Sequence, residues 1–258
     1  MNVLENNIDT NNTQTYSNKV AFITGANRGI GFETAKGLGA EGITIIIGSR
    51  DLSKGKHAAQ ALKALGYKAE AIQYNADEAD SANAVYEYFD QHYGKLDILV
   101  NNAGILREPL LTSNSSTVDI DTLQATFHTN LFAVIALTQK LLPLIKKSEA
   151  GRIVNLSSIL ASLTIHSLAN SPIDPAKAFA YNASKTALNA YTVHLAHELR
   201  DTNIKVNSAH PGWVKTELGG ENAPMELADG GKTSVQLATL AQDAASGGFY
   251  HQGESLPW

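Results

Sequence analysis

KVAFITGANRGIGFETAKGLGA, residues 19–40, passes from a short β-branched apolar run into a glycine-rich turn, then into small and apolar residues at helical spacing. The run 19–24 reads as a strand that stops at Gly25, and 30–40 as the helix that follows it. Between them TGANRGIG, 24–31, carries glycines at 25, 29 and 31. Gly25 permits a tight turn out of the strand, Gly29 lets the backbone approach a pyrophosphate, and Gly31 lets the helix pack closely on the sheet. The amides and dipole at the helix start then face an anion. The spacing is G-x-x-x-G-x-G rather than G-x-G-x-x-G, so the place between strand and helix carries as much of the reading as the glycines do.

Further apolar runs follow at 42–50, 68–75, 96–104, 151–158 and 204–212. They lack strict alternation, which suits strands covered on both faces of a parallel sheet. Helical patterns lie between them at 53–65, 81–92, 120–142 and 181–200. This alternation predicts an α/β fold: a single doubly wound parallel sheet with helices on both faces. No repeat or linker divides the chain, so one domain over 18–258 is expected, preceded by a polar, Asn-rich segment, 1–17, read as a mobile tail. Two stretches break the alternation. Residues 159–180, with Pro172 and Pro175, predict a substrate-side insertion, and the Gly-rich residues 217–236 predict a lid. Both leave the sheet at its C-terminal edge, where ligands bind in open α/β folds.

Composition removes several classes of function. The 258 residues carry a net charge of −5 with only 17% charged residues, which speaks against a nucleic-acid partner. Cysteine is absent, which excludes disulfides, thiolate metal sites and a cysteine nucleophile. No apolar run approaches the ~20 residues of a membrane span, and the N-terminus does not read as a secretory signal. A cytoplasmic protein without a membrane partner is expected.

The second strand ends IIIGSRD, 45–51. Neutral Ser49 stands where an NAD site often carries an acid for the ribose hydroxyls. Arg50 follows it, and Arg28 sits in the glycine turn on the same side. Two guanidiniums suit a 2′-phosphate, while the Asp51 side chain points away in an extended strand. The expected cofactor is NADP(H) rather than NAD.

FAYNASKTAL, 179–188, places Tyr181 one helical turn before Lys185. Alone, the pair is equally two amphipathic side chains sharing a helix face. Taken with TGANRGIG, NNAG at 101–104, SS at 157–158 and PG at 211–212, it resembles the short-chain dehydrogenase/reductase family. The motifs stand in the family's order and near its spacing from residue 19 to about 216. GSRD at 48–51 and the enlarged segment before the tyrosine are most like the NADPH-dependent carbonyl-reductase branch.

The resemblance implies a Rossmann fold and the following roles. Tyr181 is the general acid in carbonyl reduction, its pKa lowered by the Lys185 ammonium, which also holds the nicotinamide ribose. Ser158 holds the substrate oxygen, with Ser157 the close alternative. Asn130, in an otherwise apolar helix, holds a water in a proton relay to Lys185. Asn101 braces the central strands and lines the cofactor site with Ala103 and Gly104. Pro211, Gly212, Val214 and Thr216 border the nicotinamide. Asn75, where the family usually has Asp, contacts adenine beside Ala76, and Asn27 and Ile30 complete the glycine turn.

The resemblance thus implies an NADPH-dependent reductase acting on an aldehyde or ketone. The alternatives are an NADP-dependent alcohol dehydrogenase working oxidatively and a non-catalytic NADP(H) sensor. The partner is a small carbonyl or alcohol substrate, and both a monomer and a homo-oligomer stay open. Ile105, Leu106, Leu160, Leu163, Ile165, Leu168 and Trp213 suggest an apolar pocket, with His166 and His210 as candidate substrate contacts. His194 and His197, three apart, lack a third ligand motif and read as packing or surface residues rather than a metal pair. Phe249, Tyr250 and Trp258 predict an ordered C-terminal segment.

Overall fold

The computed structural model describes residues 16, 18–78 and 80–258. Its centre is one eight-stranded sheet in the order β3-β2-β1-β4-β5-β6-β7-β8. The strands are β1 (Val20–Thr24), β2 (Thr44–Ser49), β3 (Ala69–Gln73), β4 (Ile98–Asn101), β5 (Arg152–Leu156), β6 (Lys205–Ala209), β7 (Phe249–His251) and β8 (Glu254–Ser255). All pairs are parallel except β7 with β8. This is the doubly wound Rossmann arrangement expected from the alternation. β1, β2 and β4 are mostly apolar, and β1, β4 and β5 are buried at every position, because helices cover both faces.

Those helices are α1 (Gly29–Ala40), α2 (Leu52–Ala64), α3 (Ser81–His92), α4 (Ile120–Phe127), α5 (Ala133–Ile145), α6 (Leu163–His166), α7 (Phe179–Glu198) and α8 (Lys232–Ala238). One core packs Leu38, Leu62 and Leu237, from α1, α2 and α8, against Ile45 and Val100. The other packs Phe89, Leu141 and Leu195, from α3, α5 and α7, against Phe22 and Ile153. The strand order reverses between β1 and β4, and the crevice at this switch point is where the fold places a ligand.

The structure adds detail that the pattern did not carry. The helix expected over 120–142 is interrupted by a π-helical stretch, His128–Phe132, between α4 and α5. The strands β7 and β8 were not anticipated; Phe249 is buried there and Trp258 stacks on it, with centroids 5.7 Å apart. The expected tail, 1–17, lies outside the described residues except at Tyr16. Tyr16 is packed in the first core, and its hydroxyl donates to the Thr239 carbonyl at 2.9 Å. Of the segment expected as a lid, 217–236, the last part is core: α8 buries Thr233 and Ser234.

Candidate active site

The cavity at the C-terminal edge of β1, β4 and β5 has a volume of about 1010 Å³. Its phosphate end is the turn from β1 into α1. Gly25 and Gly29 have φ of +65° and +61°, which side chains with a Cβ rarely adopt. A Cβ at Gly29 would meet nothing within 4 Å, so the space beside that backbone is open. No side chain caps α1, and no acid stands in its first turn. Its N-terminal amides are therefore available to an anion. The cradle fits a pyrophosphate. Asn27, Arg28, Ile30 and Gly31 line the cavity with the two glycines.

At the ribose end the cavity is bordered by Ser49 and Arg50. The Ser49 hydroxyl donates to the Asp51 carbonyl at 2.8 Å. Asp51 caps α2, accepting from the amides of Ser53 and Lys54, so its carboxylate is already engaged. Arg28 forms an ion pair with Glu217, from the segment across the cavity. Arg50 has no carboxylate partner among the described residues, and its guanidinium beside neutral Ser49 suits a phosphorylated ribose better than a free diol.

Ser158, Tyr181 and Lys185 meet in the middle of the cavity. Ser158 follows β5, while Tyr181 and Lys185 come from the first turns of α7. All three are buried. Lys185 Nζ lies 5.8 Å from the Tyr181 ring centroid and donates to the Leu156 carbonyl at 2.7 Å. Burial pushes the Tyr181 phenol up to about 12, with the neighbouring Ser158 hydroxyl pulling the other way. Burial also pulls Lys185 down to about 8. The lowering of the phenol expected from the Lys185 ammonium is not what the structure shows: desolvation disfavours the phenolate, and the opposing pull comes from Ser158 rather than from Lys185. Tyr181 is a proton-loaded hydroxyl throughout the neutral range. Ser157 also lines the cavity, but it is Ser158 that bears on the phenol.

Three residues of the expected catalytic and cofactor sets do not line the cavity. Asn75 spends its side chain locally, donating to Glu78 at 2.8 Å and accepting from the Asp77 amide at 3.3 Å; Tyr74, Ala76 and Asp77 form the wall instead. Asn101 braces the strands, donating to Asn155 at 2.8 Å and Thr138 at 3.1 Å, and its neighbour Asn102 takes the lining position. Asn130, buried in the π-helical stretch, bonds both the N–H and the C=O of Ile105 and donates to Ser184 at 3.0 Å. Its Oδ1 and the Lys185 Nζ each stand 3.3 Å from where a Cβ on Gly104 would be. Ala103, Gly104, Pro211, Gly212, Val214 and Thr216 line the cavity as expected.

The substrate side is apolar. Ile105, Leu106, Leu160 and Trp213 contribute, joined by Pro172 and Ile173. Leu163, Ile165 and Leu168 do not line it; Leu163 and Leu168 face solvent, at 64% and 53% exposure. His166 is a staple of the insertion, accepting from Lys177 at 2.9 Å and bonding the Leu160 carbonyl at 3.1 Å. His210 does border the cavity. Its Nδ1 accepts from the Ile159 amide at 3.2 Å, and burial beside His251 pulls its pKa down to about 3, so the ring is neutral. Glu108, which no motif flags, is buried and accepts from the Tyr181 amide at 3.1 Å.

Residues 19–227 match the family model of the short chain dehydrogenases. The chain belongs to that family. It is 31% identical to carbonyl reductase [NADPH] 1 of Bos taurus, over 94% of this chain and 99% of the relative. It is 32% identical to cyclohexanol dehydrogenase of an Acinetobacter species, over 82% of this chain and 79% of the relative. Among solved structures, NADPH-bound carbonyl reductase from chicken fatty liver superposes with a TM-score of 0.80 at 26% identity, over 93% of this chain and 99% of the other. The chain is a short-chain dehydrogenase/reductase near the carbonyl-reductase branch and, with it, an oxidoreductase.

Proposed function

We propose that this enzyme reduces the carbonyl of an aldehyde or ketone with NADPH. The observation that carries the reading is the buried, protonated Tyr181 between the Ser158 hydroxyl and Lys185. A phenol that carries its proton at neutral pH, beside a serine hydroxyl and a lysine, is placed to give that proton to a carbonyl oxygen that gains charge. NADPH, when bound, supplies the hydride. The turn Gly25–Gly31 would hold its pyrophosphate, Arg28 and Arg50 its 2′-phosphate, and Lys185 its nicotinamide ribose. The backbone from Pro211 to Val214 and the Thr216 hydroxyl would border the nicotinamide, with Ala103 and Gly104 opposite.

Ser158 would hold the substrate oxygen and Tyr181 would donate to it. A water beside Gly104, between Asn130 Oδ1 and Lys185 Nζ, would return the proton. The apolar wall then favours a small or medium hydrophobic carbonyl. The likeness to cyclohexanol dehydrogenase supports one second reading, oxidation of a secondary alcohol with NADP⁺ by the same groups.

The test is cofactor consumption by purified protein with a panel of an aromatic aldehyde, a cyclic ketone and a quinone, run with NADPH and NADH and in both directions. The reading expects reduction at neutral pH, a preference for NADPH of about 100-fold, the scale of one or two charge-assisted bonds, and loss of most of that preference in Arg50→Ala. Equal use of NADH and NADPH, or turnover only in the oxidative direction, contradicts it.

A further inference from the structure

The helix that carries Tyr181 and Lys185 starts without a cap of its own. Ala178 precedes α7, no side chain at that position accepts from its first turn, and that turn contains no acid. The missing acceptor comes from another part of the chain. The Glu108 carboxyl group, 73 residues away, takes the backbone N–H of Tyr181 itself at 3.1 Å through Oε2. Glu108 is only 9% exposed, and its Oε1 is buried with no partner among the described residues. A half-satisfied carboxyl group in the interior is a costly way to terminate a helix. A Ser or Asp at the N-cap, where Ala178 stands here, does the same service at the surface of a helix.

What the costly arrangement adds is a connection. Glu108 belongs to the segment 105–111 that follows β4, and Leu106, Arg107 and Leu110 of that segment line the cavity. At its other end, Ile105 is held through both its N–H and C=O by Asn130. Asn130 in turn donates to Ser184, one residue before Lys185. The substrate-side wall is therefore fastened to α7 at two points, at Tyr181 by Glu108 and beside Lys185 by Asn130.

We infer that Glu108 is a positioning residue for the proposed reduction: by holding the Tyr181 backbone to the 105–111 wall, it sets where the phenol stands relative to a bound carbonyl. The inference rests on the reductase reading. Its chemistry is confined to hydrogen bonding. The acceptor oxygen matters, and a glutamine retains one. A cap that served stability alone would change melting temperature and leave turnover per folded molecule untouched.

The experiment compares Glu108→Ala and Glu108→Gln with the wild type, using NADPH and the panel compound that the wild type reduces fastest. The expected result for Glu108→Ala is a fall in kcat of about 10-fold or more, as for a slightly misplaced catalytic group, with NADPH Kd changed by less than about 3-fold. Glu108→Gln should keep kcat within about 3-fold of the wild type. Hydrogen exchange of the Tyr181 amide should quicken in Glu108→Ala and stay slow in Glu108→Gln. An active wild type with unchanged kcat in Glu108→Ala overturns the inference alone, as does a Glu108→Gln that falls as far as the alanine. If Glu108→Ala does not fold, exchange in the wild type decides. Protection of the Tyr181 amide comparable to that of Leu188 supports the bond, and exchange at the rate of an uncapped first turn removes it. A wild type that binds NADPH but reduces nothing ends the reductase reading, and the positioning role goes with it.

Discussion

At the scale of single residues, the site is governed by burial. Burial keeps the proton on Tyr181 and loosens the one on Lys185, moving them to about 12 and about 8. For an amine with a lowered pKa the ammonium is present below about pH 8 and lost above it. If Lys185 acts as an ammonium, kcat/KM for NADPH in the reductive direction should be level from pH 6 to 7.5. Above about pH 8 it should fall, approaching tenfold per pH unit, since this ratio reports groups of the free enzyme. A rate that instead climbs steadily from pH 7 to 10 would mean that the site works as a base. Gly104 makes a second residue-scale argument. A methyl group there would stand 3.3 Å from both Lys185 Nζ and Asn130 Oδ1, closer than most contacts allow. Gly104→Ala should lower kcat by about 10-fold or more, the cost of a small displacement at a catalytic group, while the melting temperature stays within a few degrees. Steady-state rates and a thermal melt check both halves. The residues legible in the sequence were those set by backbone demands and motif order, such as Gly25, Gly29 and Tyr181. Glu108 and Asn102 were not, because what places them is a contact with chain 73 and 78 residues away.

At the scale of elements, hydrogen bonds across the sheet hold α7 in register. Asn101, Asn155 and Ser208 sit opposite one another on β4, β5 and β6. Asn155 donates to Thr192 of α7 at 2.9 Å, and Ser208 to the same hydroxyl at 2.9 Å. A buried polar ladder of this kind fixes one arrangement, since any other leaves its members unpaired. At the opposite end of β5, Arg152 is 1% exposed and donates to the carbonyls of Leu240, Ala241, Gly151 and Asn203. Among the described residues it has no carboxylate partner; the guanidinium fork ties β5 to the segment after α8. Removing it orphans several carbonyls, so Arg152→Ala should destabilise the fold by on the order of 3 kcal/mol, measured by urea denaturation. A loss below about 1 kcal/mol would show that the carbonyls find water instead. Strands and helices were legible because β-branched runs and helical spacing alternate. The π-helical stretch at His128–Phe132 was not, since its residues, HTNLF, fit an α-helix locally and the extra residue per turn is accepted only where Asn130 finds Ile105 and Ser184.

At the scale of the molecule, the sheet brings to one edge residues from both halves of the chain. The glycine turn comes from its start, Ser158 and Tyr181 from its middle, and Pro211 to Thr216 from beyond. The segment after β6 closes over the glycine turn through the Arg28–Glu217 ion pair, while Lys215 pairs with Glu226 along it. No helix among the described residues is long and apolar enough to cross a membrane. The division into a substrate side and a cofactor side was readable from the two stretches that broke the strand–helix alternation. Their boundaries were not, because Thr233 and Ser234 look like loop residues until α8 packs on α1. The central claim is that Tyr181 delivers the proton, and Tyr181→Phe tests it most directly, with carbonyl-dependent NADPH oxidation and NADPH affinity measured side by side. The account predicts that kcat falls by at least about 100-fold, as for loss of a general acid, while Kd for NADPH changes by less than about 3-fold. A phenylalanine variant that turns over within about 3-fold of the wild type would contradict it.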